Sequence, residues 1–261
     1  MSGFSLRFLG HSTVRLELGG RVVLTDPVLT ARVGGLVRVV PVPPPASYAG
    51  VDLVLLSHLH GDHLHLPSLK LLGRRTRIVV PRGAGTWLRK KGFERVEEIA
   101  PGETLTDGGL TVTATEAVHS GHRWGPRLTH GPQSPALGHL VENAGTTVYN
   151  AGDTDLFDGM RDLGPVDVAL LPVWGWGPNL GPGHLDPARA ARAAALVGAR
   201  AAVPVHWGTL APPGLRRTAR MRRLLADPPR VFAAEAAGGT TEVLFTEPGA
   251  DVVLPAPTDR A

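Results

Sequence analysis

Apolar and polar positions alternate near the start of the chain, and the same arrangement recurs about halfway along it. Leu9-Gly10-His11 opens an alternating pattern that turns at Gly19-Gly20 and runs through Val22, Val23 and Leu24 to Asp26. Leu137-Gly138-His139 opens a second one, which turns near Gly145 and ends through Val148 and Tyr149 at Asp153. Period-two alternation on both sides of a glycine turn predicts a β-hairpin. Each hairpin is followed by a short strand-like run, Val51-Asp52-Leu53-Val54-Leu55-Leu56 in the first half and Val166-Asp167-Val168-Ala169-Leu170-Leu171 in the second. Such runs suit strands buried on both faces, and a duplicated unit predicts two packed halves.

Helical patterns lie between and after these strands. The clearest begins at Asp186, a capping residue, with Pro187 in its first turn, and ends at Gly198 after an Ala-rich stretch. A second covers residues 215–225 and stops before Pro228-Pro229. The expected fold class is α/β: a four-layer αββα sandwich of two packed mixed β-sheets with outer helices. Residues 30–50 contain Pro41-Val42-Pro43-Pro44-Pro45 and are expected to hold neither sheet nor helix, as a surface excursion that serves as a linker or a substrate lid. Residues 247–261, with three prolines, are expected to be a loose tail. No domain boundary is visible, so residues 1–261 are expected to form a single domain.

Composition narrows the chemistry. The chain has 261 residues, 43% of them hydrophobic, enough for a sizeable core. No charged segment precedes an apolar stretch in residues 1–20, and there is no run of 18 apolar residues, so neither export nor a membrane span is expected and the chain reads as cytoplasmic. There is no cysteine, which removes disulfides, thiolate metal sites and a Cys nucleophile together and leaves His and carboxylates for any transition metal. A formal charge of +4 is weak evidence for a nucleic-acid partner.

The chemistry concentrates in Ser57-His58-Leu59-His60-Gly61-Asp62-His63, directly after the first buried run. A strand exit is where sites in α/β proteins are built. His58 and His60, two apart in an extended turn, can face one point, while Asp62 and His63 beyond the bend can face a neighbouring one. One short segment can therefore seed two metal sites.

His58-x-His60-x-Asp62-His63 resembles the signature of the metallo-β-lactamase superfamily, and the resemblance extends over nearly the whole chain. It implies that Asp26 orients a ligand histidine without binding metal, and that His119, Asp153 and His206 complete the ligand set. A first ion would then have His58, His60 and His119 and a second Asp62, His63 and His206, with Asp153 shared and Asp62 also a candidate catalytic carboxylate. The donors suit zinc first, and manganese or iron as well. Two such ions imply hydrolysis of a phosphodiester, lactone or related small-molecule ester by a bridging hydroxide. The Gly-Asp-Thr and His-Trp-Gly-Thr segments resemble a branch containing N-acylphosphatidylethanolamine-hydrolysing phospholipase D and the ascorbate-phosphate lactonase. β-Lactam hydrolysis fits less well, because one subclass needs a Cys ligand and β-lactamases generally lack the bridging Asp.

His184, just before the Asp186 helix, resembles a histidine of the same branch and is a candidate catalytic residue, to grip a phosphate or protonate a leaving group. Trp174 and Trp176 either wall the pocket or pack beneath the loop. His11 is expected to brace the site, His139 to be structural and His65 to lie on the surface, while His122 and His130 fall in a Gly/Pro-broken loop after His119 and read as loop residues before substrate contacts. Arg216, Arg217, Arg220, Arg222 and Arg223 crowd one predicted helix, which reads as a solvated basic face. The competing readings are a nuclease on RNA or DNA and a metal-binding regulatory protein without turnover.

Overall fold

The computed structural model describes residues 4–124 and 130–254. In the first half, β1 (Ser5–Gly10), β2 (Thr13–Leu18) and β3 (Arg21–Thr25) form an antiparallel meander. After the short β4 (Arg32–Val33) and β5 (Leu36–Arg38) come β6 (Leu53–Leu55), α1 (Leu66–Leu72), β7 (Arg77–Pro81), α2 (Gly85–Lys90) and β8 (Val96–Ile99). The strands β3, β6, β7 and β8 run parallel, giving a six-stranded sheet of order β1-β2-β3-β6-β7-β8.

The second half contributes β9 (Thr104–Asp107), β10 (Leu110–Glu116), β11 (His122–Trp124), β12 (His130–Gln133), β13 (Leu137–Asn143), β14 (Thr146–Asn150) and β15 (Val168–Pro172). It ends with α3 (Pro187–Leu196), β16 (Ala201–Val205), β17 (Leu210–Ala211), α4 (Ala219–Ala226), α5 (Pro228–Ala236) and β18 (Glu242–Val243). Its sheet has the order β18-β16-β15-β14-β13-β10-β9, and β14, β15, β16 and β18 are parallel.

The sequence echo is thus an echo of topology, since each half has an antiparallel hairpin whose second strand pairs in parallel with the buried run that follows. Both hairpins turn through two residues of positive φ, Gly19-Gly20 (53° and 78°) and Ala144-Gly145 (49° and 77°), as the twist of a two-residue hairpin requires. The register of the echo needs correction. Leu137-Gly138-His139 lies in β13, whereas Gly10 and His11 turn the chain from β1 into β2.

The main core lies between the sheets, where Leu6, Phe8, Val14 and Leu16 meet Leu137, Val141, Val148 and Leu170. Along β6, Leu53 and Leu55 enter this core while Val54 and the following Leu56 join a second cluster with Leu69 and Leu88 of α1 and α2. That alternation is the strand period, and it places α1 and α2 outside the first sheet. On the other side Ala190, Ala193 and Ala194 bring α3 close to the second sheet, with Phe232 of α5 beside them. The layers are therefore αββα. The Asp186 carboxylate accepts from the Arg189 backbone N–H at 2.8 Å, capping α3 as expected, and Gly198 (φ 58°) follows its end. Pro228-Pro229 not only follow α4 but start α5, because the first turn of a helix needs no N–H from its residues.

Two expectations for irregular segments fail in part. Within residues 30–50, β4 and β5 form a small antiparallel sheet with β17, and Arg38 is buried with its guanidinium donating to the carbonyls of Val28, Pro41 and Leu9. Strands of two and three residues leave no alternation to read, and the neighbouring prolines mask them. Residues 249–252 are not loose either. Gly249 N donates to Phe8 O, Phe8 N to Ala250 O at 3.1 Å and Val252 N to Leu6 O at 2.8 Å, with the Val252 side chain in the main core. The last part of the expected tail, residues 255–261, lies outside the described residues. Among the described residues no helix is long and apolar enough to cross a membrane.

Candidate metal centre

The chemistry-bearing residues of both halves sit at one end of the sandwich, where the strands run out. Asp26 follows β3, Ser57 to His63 follow β6, His119 follows β10, Asp153 follows β14 and His206 follows β16. Three of them are held in unusual backbone geometry: of the four non-glycine residues with positive φ among those described, His11 (57°), Asp26 (34°) and His206 (62°) belong to this site. Such conformations cost on the order of 1–3 kcal/mol each and persist where surrounding structure imposes them.

Two groups of ligand atoms result. In the first, His60 Nδ1 lies 3.0 Å from His58 Nε2 and 3.1 Å from His119 Nε2. In the second, His63 Nε2 lies 3.2 Å from His206 Nε2, and Asp62 Oδ2 lies 3.8 Å from His206 Nε2 and 4.0 Å from His63 Nε2. Asp153 stands between them. Its Oδ2 is 3.2 Å from His63 Nε2, 3.3 Å from His206 Nε2, 3.9 Å from His58 Nε2 and 4.0 Å from His119 Nε2, while its buried Oδ1 has no hydrogen-bond partner. Every residue of the sequence-derived ligand set is brought together here.

Hydrogen bonds at the remote ring nitrogens aim these imidazoles. His119 Nδ1 donates to Gly183 O and His206 Nδ1 to Trp174 O, both at 2.7 Å. His63 Nδ1 donates to Asp26 Oδ2 at 2.9 Å, the role expected of Asp26. Ser57 Oγ donates to the same carboxylate oxygen at 2.6 Å, so it accepts from His58 Nδ1 at 3.0 Å. With those contacts at the remote nitrogens, His58, His63, His119 and His206 turn Nε2 toward one another around the Asp153 carboxylate, an arrangement that suits a cation. Nitrogens bound at about 2.0–2.1 Å in a tetrahedral shell stand about 3.3 Å apart, close to the spacing here. The residues therefore fit divalent metal.

The electrostatics agree. Burial pushes the His58 imidazole well below its ordinary value, with His63 adding to the effect, and burial together with His119 takes His60 down to about 4. Burial would raise the Asp153 carboxyl, but His206 and His63 outweigh it and hold the group well below the usual carboxylate range. Burial lowers His63 too, yet Asp153 and Asp26 on either side raise it well above its usual value, so these carboxylates favour positive charge at this ring.

The sequence missed several supporting groups. Ser57 stood in the motif without a role. Arg123 of β11 donates to Leu59 O at 3.0 Å and Leu64 O at 2.7 Å, clamping the histidine-rich loop. Gly152 (φ 62°) precedes Asp153 where an added Cβ would lie 2.6 Å from Ser57 Cβ and 2.7 Å from Leu137 O.

The remaining candidates separate. His184 reaches the mouth of the site, with Nε2 3.6 Å from Asp153 Oδ2, its ring edge-on to His119 and Nδ1 3.1 Å from the carbonyls of Gly181 and Pro182. His11 touches Asp62, with Nε2 3.0 Å from Oδ2, and burial lowers it to about 4. His139 is buried, belongs to neither group, and its ring nitrogens have no partner. His65 is not on the surface: it is buried, with Nδ1 2.8 Å from Ser68 Oγ, because it leads into α1. Trp174 packs against the core and Trp176 is 40% exposed. Arg220 donates to Pro178 O and Asn179 Oδ1, so the basic helix braces the loop before His184. His122 lies beside Ser120, at 3.5 Å, and the side chain of His130 lies outside what the structure describes.

Comparison with known proteins gives a consistent result. Residues 21–207 match the family described as Beta-lactamase superfamily domain. An uncharacterised protein of Mycobacterium bovis is 35% identical over 224 residues, 80% of this chain, and the chain spans only 59% of that relative's length. A UPF0173 metal-dependent hydrolase of Thermococcus kodakarensis is 30% identical over 258 residues, covering 95% of this chain and 99% of its own. Among solved structures, a metallo hydrolase from Ignicoccus hospitalis superposes with a TM-score of 0.71 at 25% identity, over 95% of this chain and 97% of the other.

Proposed function

The chain belongs to the metallo-β-lactamase superfamily, and from that premise we propose that it is a metal-dependent hydrolase with a two-ion centre. His58, His60 and His119 would hold one ion, Asp62, His63 and His206 the other, and Asp153 both. The observation that carries this reading is the position of Asp153 Oδ2, within 4.0 Å of an Nε2 from each of His58, His63, His119 and His206. Zinc heads the list of ions for this donor set, with manganese and iron also suited. Both halves of the chain supply ligands, which supports one hydrolase domain over residues 1–261.

When bound, such ions supply hydroxide from water at neutral pH and neutralise charge at the scissile group. The chain's own residues do the rest. Asp62 and Asp153 set the charge of the centre, and the Asp26–His63 and Ser57–His58 hydrogen bonds keep the rings from rotating. His184 is the general-acid candidate. Its Nδ1–H is held by loop carbonyls while Nε2 faces the site, so a proton on Nε2 can pass to a leaving oxygen. We place the substrate among phosphodiesters first and lactones second, in line with the branch that Gly152-Asp153-Thr154 and His206-Trp207-Gly208-Thr209 resemble.

The test is metal content and turnover of reconstituted protein on bis(p-nitrophenyl) phosphate, a lactone and a cephalosporin reporter. Two ions per chain and diester turnover without cephalosporin turnover are expected. A reproducible ceiling of one ion removes the shared role of Asp153, and rapid cephalosporin turnover with an inert diester reverses the substrate ranking. His184→Ala should retain both ions and lower kcat about 10²–10⁴-fold; wild-type kinetics would make His184 structural.

A further inference from the structure

His11 is buried, only 1% exposed, and sits at φ +57° in the turn between β1 and β2. A tight turn that needs positive φ is served more cheaply by glycine or asparagine. The surroundings instead hold a histidine there from several sides. Its backbone N–H donates to Thr209 Oγ1 and its carbonyl accepts from His206 N, both at 2.7 Å. Its ring lies against the His206 ring at 4.1 Å between centroids, and its Nε2 meets Asp62 Oδ2 at 3.0 Å. The preceding Gly10 has φ +107°, a conformation that favours glycine, and a Cβ there would lie 2.8 Å from Arg38 Nη2.

We propose that His11 is the positioning residue of the second ion: its imidazole N–H fixes the Asp62 carboxylate, while its ring and carbonyl fix His206. The inference rests on the two-ion reading above. Two of the three ligands particular to the second cluster are hydrogen-bonded to this one residue, one through the side chain and one through the main chain, and the ring of the third, His63, lies 5.5 Å away, whereas His58, His60 and His119 contact one another. Because a carboxylate only accepts, the contact with Asp62 places a proton on His11 Nε2. That nitrogen therefore orients a ligand and does not coordinate. The reason for a histidine in a strained turn is its reach: it spans from the β1 end to Asp62 in the loop after β6.

The experiment is zinc titration of chelator-stripped protein against a competing indicator, with cobalt absorption as a second readout, for wild type, His11→Phe and His11→Gln. Phenylalanine fills the same space without the N–H; glutamine restores a donor. In wild type two ions are expected. His11→Phe should bind the first unchanged and the second about 10–100-fold more weakly, and His11→Gln should recover part of that loss with an altered cobalt spectrum for the second ion alone. If His11→Phe does not fold, His11→Gln carries the test through its spectrum. Wild-type affinity and spectrum for the second ion in whichever of these variants folds overturn the inference. A wild-type ceiling of one ion instead overturns the two-ion reading, and the inference with it.

Discussion

Gly152 occupies a backbone position that no other residue can take without movement. An alanine there would combine a φ of +62° with a Cβ pressed against Ser57 Cβ and the Leu137 carbonyl. Ser57 anchors both Asp26 and His58, so the displacement reaches the ligands directly. Gly152→Ala is expected to cost on the order of 1–3 kcal/mol of stability and to lower metal content, as read by denaturant unfolding and elemental analysis; full metal content in a folded variant would contradict this. At this scale the sequence was informative where side-chain chemistry is specific. His58, His60, Asp62 and His63 were legible as candidate ligands from their spacing, and His119, Asp153 and His206 through the resemblance; the fold brings all seven together. The groups that aim them were only partly legible. Asp26 could be assigned by resemblance, but the carbonyls of Gly183 and Trp174 could not, because every residue has a carbonyl and only the fold decides which one a histidine meets. His65 was misjudged for a related reason: its burial comes from Ser68 and the start of α1, not from its own pattern.

Among the elements, α3 ties helix chemistry to the mouth of the site, since its cap Asp186 stands two residues after His184. Asp186→Ala removes the hydrogen bond to Arg189 N and is expected to cost about 1 kcal/mol, a fall of about 2–4 °C in melting temperature. The loop carrying His184 should loosen with it, so kcat should drop while metal content stays at the wild-type level. A variant that melts lower with unchanged kcat would separate the cap from the site. Long elements with clear period and caps were readable in the sequence, as α3 and the two hairpins show. Short ones were not. The sheet of β4, β5 and β17 is held by the buried Arg38 and by the distant pairing of Val37 and Arg38 with Ala211 and Leu210, neither of which leaves a local pattern. The helix α5 was hidden because its opening prolines read as a stop.

For the whole molecule, the proposed ligands come from both sheets: His58, His60, Asp62 and His63 from the first, His119, Asp153 and His206 from the second. Bound ions would therefore fasten the two halves as well as serve chemistry. Chelation should lower the melting temperature, and saturating metal at about 1,000 times its dissociation constant contributes about 4 kcal/mol. Calorimetry with and without chelator checks this, and an unchanged melting temperature in protein shown to bind metal would mean the halves do not depend on it. The αββα arrangement was legible because the duplicated hairpin-and-strand unit demands two faces to bury. How residues 249–252 return to the first strand was not, because that pairing rests first on backbone groups, which leave no pattern in the sequence.

That return has a further consequence. The strand β1 ends the six-stranded sheet, and its outer side would offer a row of unpaired N–H and C=O groups. Residues 249–252 cover those groups at Leu6 and Phe8, and Asp251 pairs with Arg7 beside them. Uncovered sheet edges recruit strands from other molecules. The segment thus covers an edge that could otherwise pair with another molecule. A chain shortened by residues 249–261 should bind metal as before yet self-associate with rising concentration, and light scattering that stayed monomeric would show that the edge guards itself.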